Sequence, residues 1–178
     1  MNRVIRKVFI DYEKEEKWLN TMSAKGLALV DYHFNRYVFA PAQPGEYIYR
    51  IELLEEMPLL PKTQSYLQFL QETGVELIAT QVRWAYFRKK AVDGPFDIFS
   101  DRKSKCKHYA RIALMLGIVG ASNLLIAGLN IRLGITTPSM FNIYISGLNL
   151  FVGGVLLKLT VSYLYRRYQL KKDSRLME

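Results

Sequence analysis

The chain has 178 residues, which allows one modest domain and a smaller second part, and its single cysteine excludes an intrachain disulfide. Residues 1–99 carry 13 basic and 13 acidic residues, whereas residues 100–178 carry 12 and 3, so the net charge of +9 belongs to the C-terminal part. Because this charge flanks long uncharged segments, we expect it to contact membrane lipid, and we predict no direct binding of nucleic acid.

The first elements along the chain are predicted to be a strand, a helix and three further strands. Asp11 is a favourable N-cap for a helix that Gly26 ends. We expect Glu13, Glu15 and Glu16, in the first turns of this helix, to form a solvated face. Alternating apolar residues and turn signals predict the surrounding strands at 4–10, 27–34, 36–40 and 46–53.

A similar succession of residues follows 48 positions later, where residues 65–78 match residues 17–30. Pro61 begins a second helix, and strands are predicted at 75–82, at 84–89 and after a turn at Asp93-Gly94. We therefore predict an α+β fold: a duplicated β-α-β-β unit, with repeats at about 4–53 and 54–99 and antiparallel strands against two helices. This topology resembles GyrI-like effector-binding domains, and the resemblance implies a small-molecule groove between the halves.

Aromatic residues crowd the predicted strands and are the candidate binding surface. One interpretation is that they form the core and one sheet face; the other is an exposed groove for an apolar ligand or a partner segment. Arginines on the same strands are expected either to pair with glutamates across the sheet or to receive an anionic ligand. The candidate ligand-binding or partner-binding residues are Tyr37, Phe39, Tyr47, Tyr49, Trp84, Tyr86, Arg36 and Arg83.

No arrangement of residues typical of catalysis occurs in the sequence. His33 and His108 are the only histidines, and Cys106 with His108 gives a C-x-H spacing without further ligands nearby. There is no glycine-rich phosphate loop and no nucleophile elbow. We therefore predict a protein that is not an enzyme and that needs no cofactor and no metal.

The C-terminal part is predicted to be a transmembrane hairpin. Residues 112–131 form a first span, 132–137 a short outside loop and 138–163 a second span, which Thr137 and Pro138 begin as N-cap and first helical residue. Basic residues cluster in the juxtamembrane segment 100–111 and in the tail 164–178, so both termini are expected in the cytoplasm, with the protein multi-pass in the cell membrane. The candidate lipid head-group contacts are Arg102, Lys103, Lys105, Lys107, Arg166, Arg167, Lys171 and Lys172.

Four asparagines lie inside the predicted spans, in pairs seven residues apart. Asn123 and Asn149, and likewise Asn130 and Asn142, have numbers that add up to 272, so each pair lies at one depth of an antiparallel hairpin. We expect amide hydrogen bonds within each pair, the alternative for the outer pair being a position in the wet interface. Small residues at 113, 117 and 121 are expected to let the helices approach closely.

The whole chain resembles a family of bacterial membrane proteins of unknown function, domain of unknown function 2812 (DUF2812). The resemblance rests on EKWLN at 16–20, AKG at 24–26, PGEYIYR at 44–50 and WAYFRK at 84–89. Genes of that family often lie beside those of PadR-like transcriptional regulators, so the resemblance implies a stress or envelope regulatory role by association. We expect a membrane-anchored cytoplasmic sensing or adaptor domain that binds a protein partner, with a transcriptional regulator as the candidate. The alternative is a module that binds an apolar small molecule at the membrane surface, and the sequence leaves a homodimer open.

Overall fold

The computed structural model describes residues 2–99, 101–137 and 140–175, with side chains up to residue 172. The chain divides into two compact units, one up to Ile98 and one from Phe99 onward. The first unit holds six strands and two helices, and the second holds two long helices. The predicted α+β fold followed by a helical hairpin is thus confirmed.

Two β-α-β-β runs build the first unit, and each forms its own three-stranded antiparallel sheet. In the first sheet the strand order is β1-β3-β2, and in the second it is β4-β6-β5, so the two runs have the same topology. The first run comprises β1 (Arg3–Arg6), α1 (Tyr12–Ala24), β2 (Leu27–His33) and β3 (Arg36–Pro41). The second comprises β4 (Tyr47–Leu53), α2 (Pro61–Glu72), β5 (Glu76–Gln81) and β6 (Trp84–Lys90).

The second run begins earlier than the boundary at residue 54 that the sequence suggested. β4 pairs with β6 from Tyr47 opposite Lys90 to Leu53 opposite Trp84, so it is the first strand of the second sheet. The strand expected after Gly94 is absent: a 3-10 turn covers Ala91–Asp93 and residues 95–98 are irregular. Phe96 from this segment is buried in a core cluster with residues of α2, and this burial takes the place of strand pairing.

Local sequence explains where the elements end. Asp11 caps α1, its side chain accepting the N–H of Glu13 at 3.1 Å, as expected. Gly26 and Gly74 follow the two helices with φ of 77° and 82°, a conformation that only glycine adopts at little cost. The pairing of β2 with β3 and that of β5 with β6 both shift register, at Val30 and at Ile78, so corresponding residues stay 48 apart from the helix through the last two strands of each run.

The second unit is an antiparallel hairpin of α3 (Arg102–Thr136) and α4 (Met140–Arg175). Both helices are longer than the predicted spans because the basic flanks continue the helix. Thr137, expected to cap the second helix, is instead the C-cap residue of α3, and Pro138 lies outside the described residues. By length and composition, both helices are long and apolar enough to cross a membrane.

Small residues at every seventh position form one row of the contact between α3 and α4. On α3 these are the buried Cys106, Ala113, Gly120, Ala127 and Gly134, and on α4 they include the buried Ser146 and Gly153. A Cβ atom on Gly153 would lie 3.1 Å from the carbonyl oxygen of Gly120, so the backbones nearly touch. A strict seven-residue period is that of a left-handed coiled coil. The predicted four-residue stripe differs, because Ala121 is exposed.

Candidate functional site

Most of the candidate aromatic residues lie in the interior. Tyr37, Phe39, Tyr49 and Tyr86 are at most 4% exposed, whereas Tyr47 and Trp84 are half-buried. Four of the six rings therefore present no open face, as the core interpretation of these residues expected.

The two candidate arginines have different surroundings. Arg83 donates hydrogen bonds to the carbonyl oxygens of Leu54 (2.6 Å) and Glu55 (2.6 Å), and so holds the β5–β6 turn against the start of the loop between β4 and α2. Arg36 is exposed and lies 3.9 Å from the carboxylate of Asp31. The arginine that does pair with a glutamate across the second sheet is Arg88, at 2.6 Å from Glu76.

A buried carboxylate joins the two sheets. The Tyr37 hydroxyl, from β3, donates to Glu15 Oε1 at 2.6 Å, and the Tyr86 hydroxyl, from β6, donates to the same oxygen at 2.8 Å. Glu15 is 7% exposed, so the expectation of a solvated face is wrong for this residue. Tyr32 completes the cluster, its ring lying 4.7 Å from that of Tyr37 and 4.2 Å from that of Tyr86.

Burial governs the protonation of this cluster. Loss of water raises the pKa of the Glu15 carboxyl above its usual value, and the two tyrosine hydrogen bonds offset part of that rise. The pKa values of Tyr37 and Tyr86 are raised far above the usual value, first by burial and then by the adjacent Glu15. At neutral pH both hydroxyls therefore stay protonated and act as donors, so the cluster is a hydrogen-bonded clamp between the sheets.

Strand β2 of the first sheet lies beside β5 of the second, so the outer edges of the two sheets are β1 and β4. The edge of β4 is covered by a row of polar side chains from α1. Asn20 accepts the N–H of Tyr49 at 2.9 Å and donates to the carbonyl of Tyr49 at 3.1 Å. Glu16 accepts the N–H of Ile51 at 3.0 Å, and Ser23 donates to the carbonyl of Tyr47 at 2.6 Å. We call these three side chains the α1 row. Glu16 is thus half-buried and also not part of a solvated face.

The α1 row replaces the neighbouring strand that β4 lacks. Its residues are spaced i, i+4 and i+7, which places them along one face of the helix. They meet every second residue of β4, because alternate peptide groups of a strand point to the same side. Burial raises the pKa of the Glu16 carboxyl, while the Ile51 N–H and Arg50, 3.5 Å away, act in the opposite direction.

The outer edge of β1 has no such cover. The N–H of Lys7 donates to the carbonyl of Asn35 at 3.0 Å, so by the alternation of an antiparallel ladder the peptide groups of Val4 and Arg6 face away from β3. Within the described part of the chain nothing pairs with these groups. Val4 and Val8 are exposed beside them, as are Arg3, Arg6 and Lys7.

The predicted amide hydrogen bonds within the two asparagine pairs do not occur among the residues that the structure describes. The asparagine amides instead donate to carbonyls of their own helix, as Asn123 does to Val119 (2.8 Å), Asn130 to Ile126 (2.9 Å) and Asn149 to Ile145 (2.9 Å). Asn142, like the other three, is half-buried. A carbonyl four residues back is always within reach in a helix, so it competes with the partner amide.

The candidate lipid-binding residues lie at one end of the hairpin. Cys106 Sγ approaches the carbonyl of Arg167 at 3.9 Å, which brings the start of α3 beside the last part of α4. Arg132 lies near the opposite end, in the last turns of α3. The positive charge of the hairpin is therefore strongly asymmetric along its axis.

No metal centre is formed by the residues that the structure describes, since no three His, Cys, Asp or Glu side chains converge there. Neither the comparison with curated proteins nor that with solved structures gives a significant match. A family model described as "Protein of unknown function (DUF2812)" matches residues 11–121, from the N-cap of α1 into α3. This match covers most of the α+β unit, including the α1 row and the Glu15 clamp. The chain therefore belongs to the DUF2812 family.

Proposed function

We propose that this protein is a membrane-anchored adaptor whose α+β unit binds a protein partner. The uncovered edge of β1 is the observation that carries the proposal. A free strand edge offers unpaired N–H and C=O groups, and partner segments bind such edges as an added strand. The other outer edge, β4, is covered by the α1 row, so the difference between the two edges is built into the fold.

The charges beside β1 select the partner. Arg3, Arg6 and Lys7 flank the free peptide groups, and no acidic residue lies in β1. Short length and positive charge protect an edge from pairing with a like edge, so a second copy of β1 is disfavoured. An extended segment with acidic side chains meets no such repulsion and gains a long-range attraction. The partner is therefore a protein with an acidic extended segment.

The hairpin supplies the membrane anchor in this proposal. Two apolar helices joined at one end and strongly basic at the other suit a double crossing with the basic end on the cytoplasmic side. In that arrangement both termini are cytoplasmic, and the eight basic residues lie at the lipid head groups. A cytoplasmic transcriptional regulator, held at the membrane by such an adaptor, is the candidate partner, in keeping with the gene neighbourhood that the family resemblance implies.

A matched pair of charge reversals tests the proposal. The tagged full-length protein is purified from native membranes as wild type, as Arg3→Glu/Arg6→Glu and as Lys89→Glu/Lys90→Glu, and bound proteins are quantified by mass spectrometry. The second variant changes the charge equally but lies on β6, which is paired on both sides. A partner reduced about tenfold or more in the first variant only supports edge binding. Equal recovery in both variants, or retention of only an apolar compound, contradicts it.

A further inference from the structure

Helix α2 carries a polar row at the positions that correspond to the α1 row. Gln64, Gln68 and Gln71 lie 48 residues after Glu16, Asn20 and Ser23, with the same i, i+4, i+7 spacing. We call these three glutamines the α2 row.

The remainder of the two helices supports this correspondence. Leu67 and Leu70 are buried on α2, as Leu19 and Met22 are on α1 at the same separation of 48 residues. The glycines after both helices and the register shifts in both sheets keep this separation. The three glutamines therefore occupy the helix face that binds a strand in the first half of the unit.

On α2 this face is open. All three glutamines are exposed, and with Pro61, Ser65, Leu67 and Leu77 they line a groove of about 670 Å³. The chain segment that corresponds to β4, after Gly94, is irregular and buries Phe96 in the core instead. Within the described residues the side-chain oxygens of the α2 row accept no hydrogen bond. Their amide groups contact Pro58 O (2.6 Å, from Gln64) and Glu72 (3.3 Å, from Gln68).

We infer that the α2 row binds an extended segment of a partner protein, which lies in this groove as β4 lies along α1. The chemistry of the row favours a peptide backbone, because a carboxamide offers one acceptor and two donors to a peptide group, as Asn20 does to Tyr49. The lining residues carry no charge, so the segment that fits is uncharged where it touches the groove. This site shares no residue with the β1 edge and does not rest on the proposed function.

The contacts between the α1 row and β4 also predict the register and direction of the segment bound to α2. Seven helical residues rise about 10 Å, which matches three to four residues of an extended chain. Glu16, at the start of the α1 row, contacts Ile51, and Ser23, at its end, contacts Tyr47, so β4 runs antiparallel to α1. The partner segment therefore runs antiparallel to α2 and contacts it at every second residue.

Site-specific photocrosslinking in the full-length protein in its native membrane tests this inference. A photoactivatable residue replaces Gln64, Gln68 or Gln71 in turn, and as a control Phe69, which is exposed on α2 but does not line the groove. Mass spectrometry then identifies the crosslinked residues of the partner. A second variant combines Gln68→Leu, which removes the central carboxamide, with the photoactivatable residue at position 64, and the crosslinking yield from position 64 is measured.

The expected result is crosslinking from the three glutamine positions to one segment of one partner protein, at alternate residues and in reverse order. Gln68→Leu is expected to lower the yield about tenfold, the effect of losing one or two hydrogen bonds. Yields no higher than at position 69 overturn the inference. So do contacts spaced three or four residues apart, which indicate a helix, and crosslinks only to lipid or to a second copy of this chain.

Discussion

Asn20→Ala is expected to release the edge strand β4 from helix α1. The Asn20 side chain holds the N–H of Tyr49 at 2.9 Å and its carbonyl oxygen at 3.1 Å, and both groups lie in partly buried surroundings. Alanine leaves both groups without this partner, so the local opening of β4 becomes more frequent.

The magnitude follows from the two lost hydrogen bonds. Each partly buried backbone group left unpaired costs about 1 kcal/mol, the lower end of the usual range, because water reaches an edge strand. Alanine favours the helix by about 0.5 kcal/mol over asparagine. The net loss is about 1.5 kcal/mol, which corresponds to roughly tenfold faster amide exchange in β4.

Hydrogen–deuterium exchange on the full-length protein in lipid nanodiscs measures this effect. Thr21→Ala is the matched control, because among the described residues the Thr21 hydroxyl bonds only to Lys17 O of its own helix, at 2.9 Å and in an exposed position. Its effect is expected to stay within about 0.5 kcal/mol. If the β4 amides exchange no faster in Asn20→Ala than in Thr21→Ala, the α1 row does not hold the edge of β4. The inference that the α2 row binds an extended segment, which is argued from the α1 row, then loses its basis.

Three further predictions concern the clamp, the hairpin and the domain boundary. Glu15→Gln keeps an oxygen that accepts hydrogen bonds from both tyrosines but cannot ionise. In the wild type, the raised pKa of Glu15 in the folded state stabilises the protein at pH values below the usual pKa of a glutamate. This stabilisation is lost as the pH rises from the usual pKa through the pKa of the folded state. Thermal unfolding at several pH values should therefore show wild type losing stability relative to Glu15→Gln as pH rises above about 4.5; a pH-independent difference refutes a buried, titrating carboxyl. Gly153→Ala should weaken the hairpin by about 1–3 kcal/mol in a detergent unfolding assay, since its Cβ would lie 2.7 Å from Leu124 and 3.1 Å from a backbone oxygen. Gly154→Ala, facing open space, is the control, and equal effects contradict the close seam. Residues 1–98 expressed alone should be soluble and show a cooperative unfolding transition, whereas aggregation argues against this boundary.

Local chemistry made most of the elements predictable. Asp11 and Gly26 mark the two ends of α1, and Pro61 and Gly74 mark those of α2. Alternating apolar residues predicted all six strands to within a few residues, except that β1 is much shorter than expected. The duplicated topology followed from the matching order of these signals. The strand predicted after the turn at Gly94 does not form, because this segment instead buries the Phe96 ring in the core.

Tertiary contacts explain what the sequence did not show. Glu15 follows a helix N-cap, where a carboxylate normally favours the helix dipole in water, and only the approach of tyrosines from two sheets reveals that it is buried. The α1 row had a visible signal, three polar residues on one helix face beside an apolar one, but its strand partner lies about 30 residues away. The predicted hydrogen bonds within the asparagine pairs do not form, because side-chain rotamers decide which carbonyl each amide meets.

Photocrosslinking from residue 6 in intact cells tests the central claim most directly, because one measurement reports the partner, its contact segment and its compartment. A photoactivatable residue replaces Arg6, at the open edge of β1, and Lys90 on the paired strand β6 serves as the reference position. The account predicts a crosslink from residue 6 alone, to an acidic extended segment of a cytoplasmic protein recovered with the membrane fraction. Equal crosslinking from both positions, or crosslinks confined to lipid or to proteins outside the cytoplasm, would contradict it.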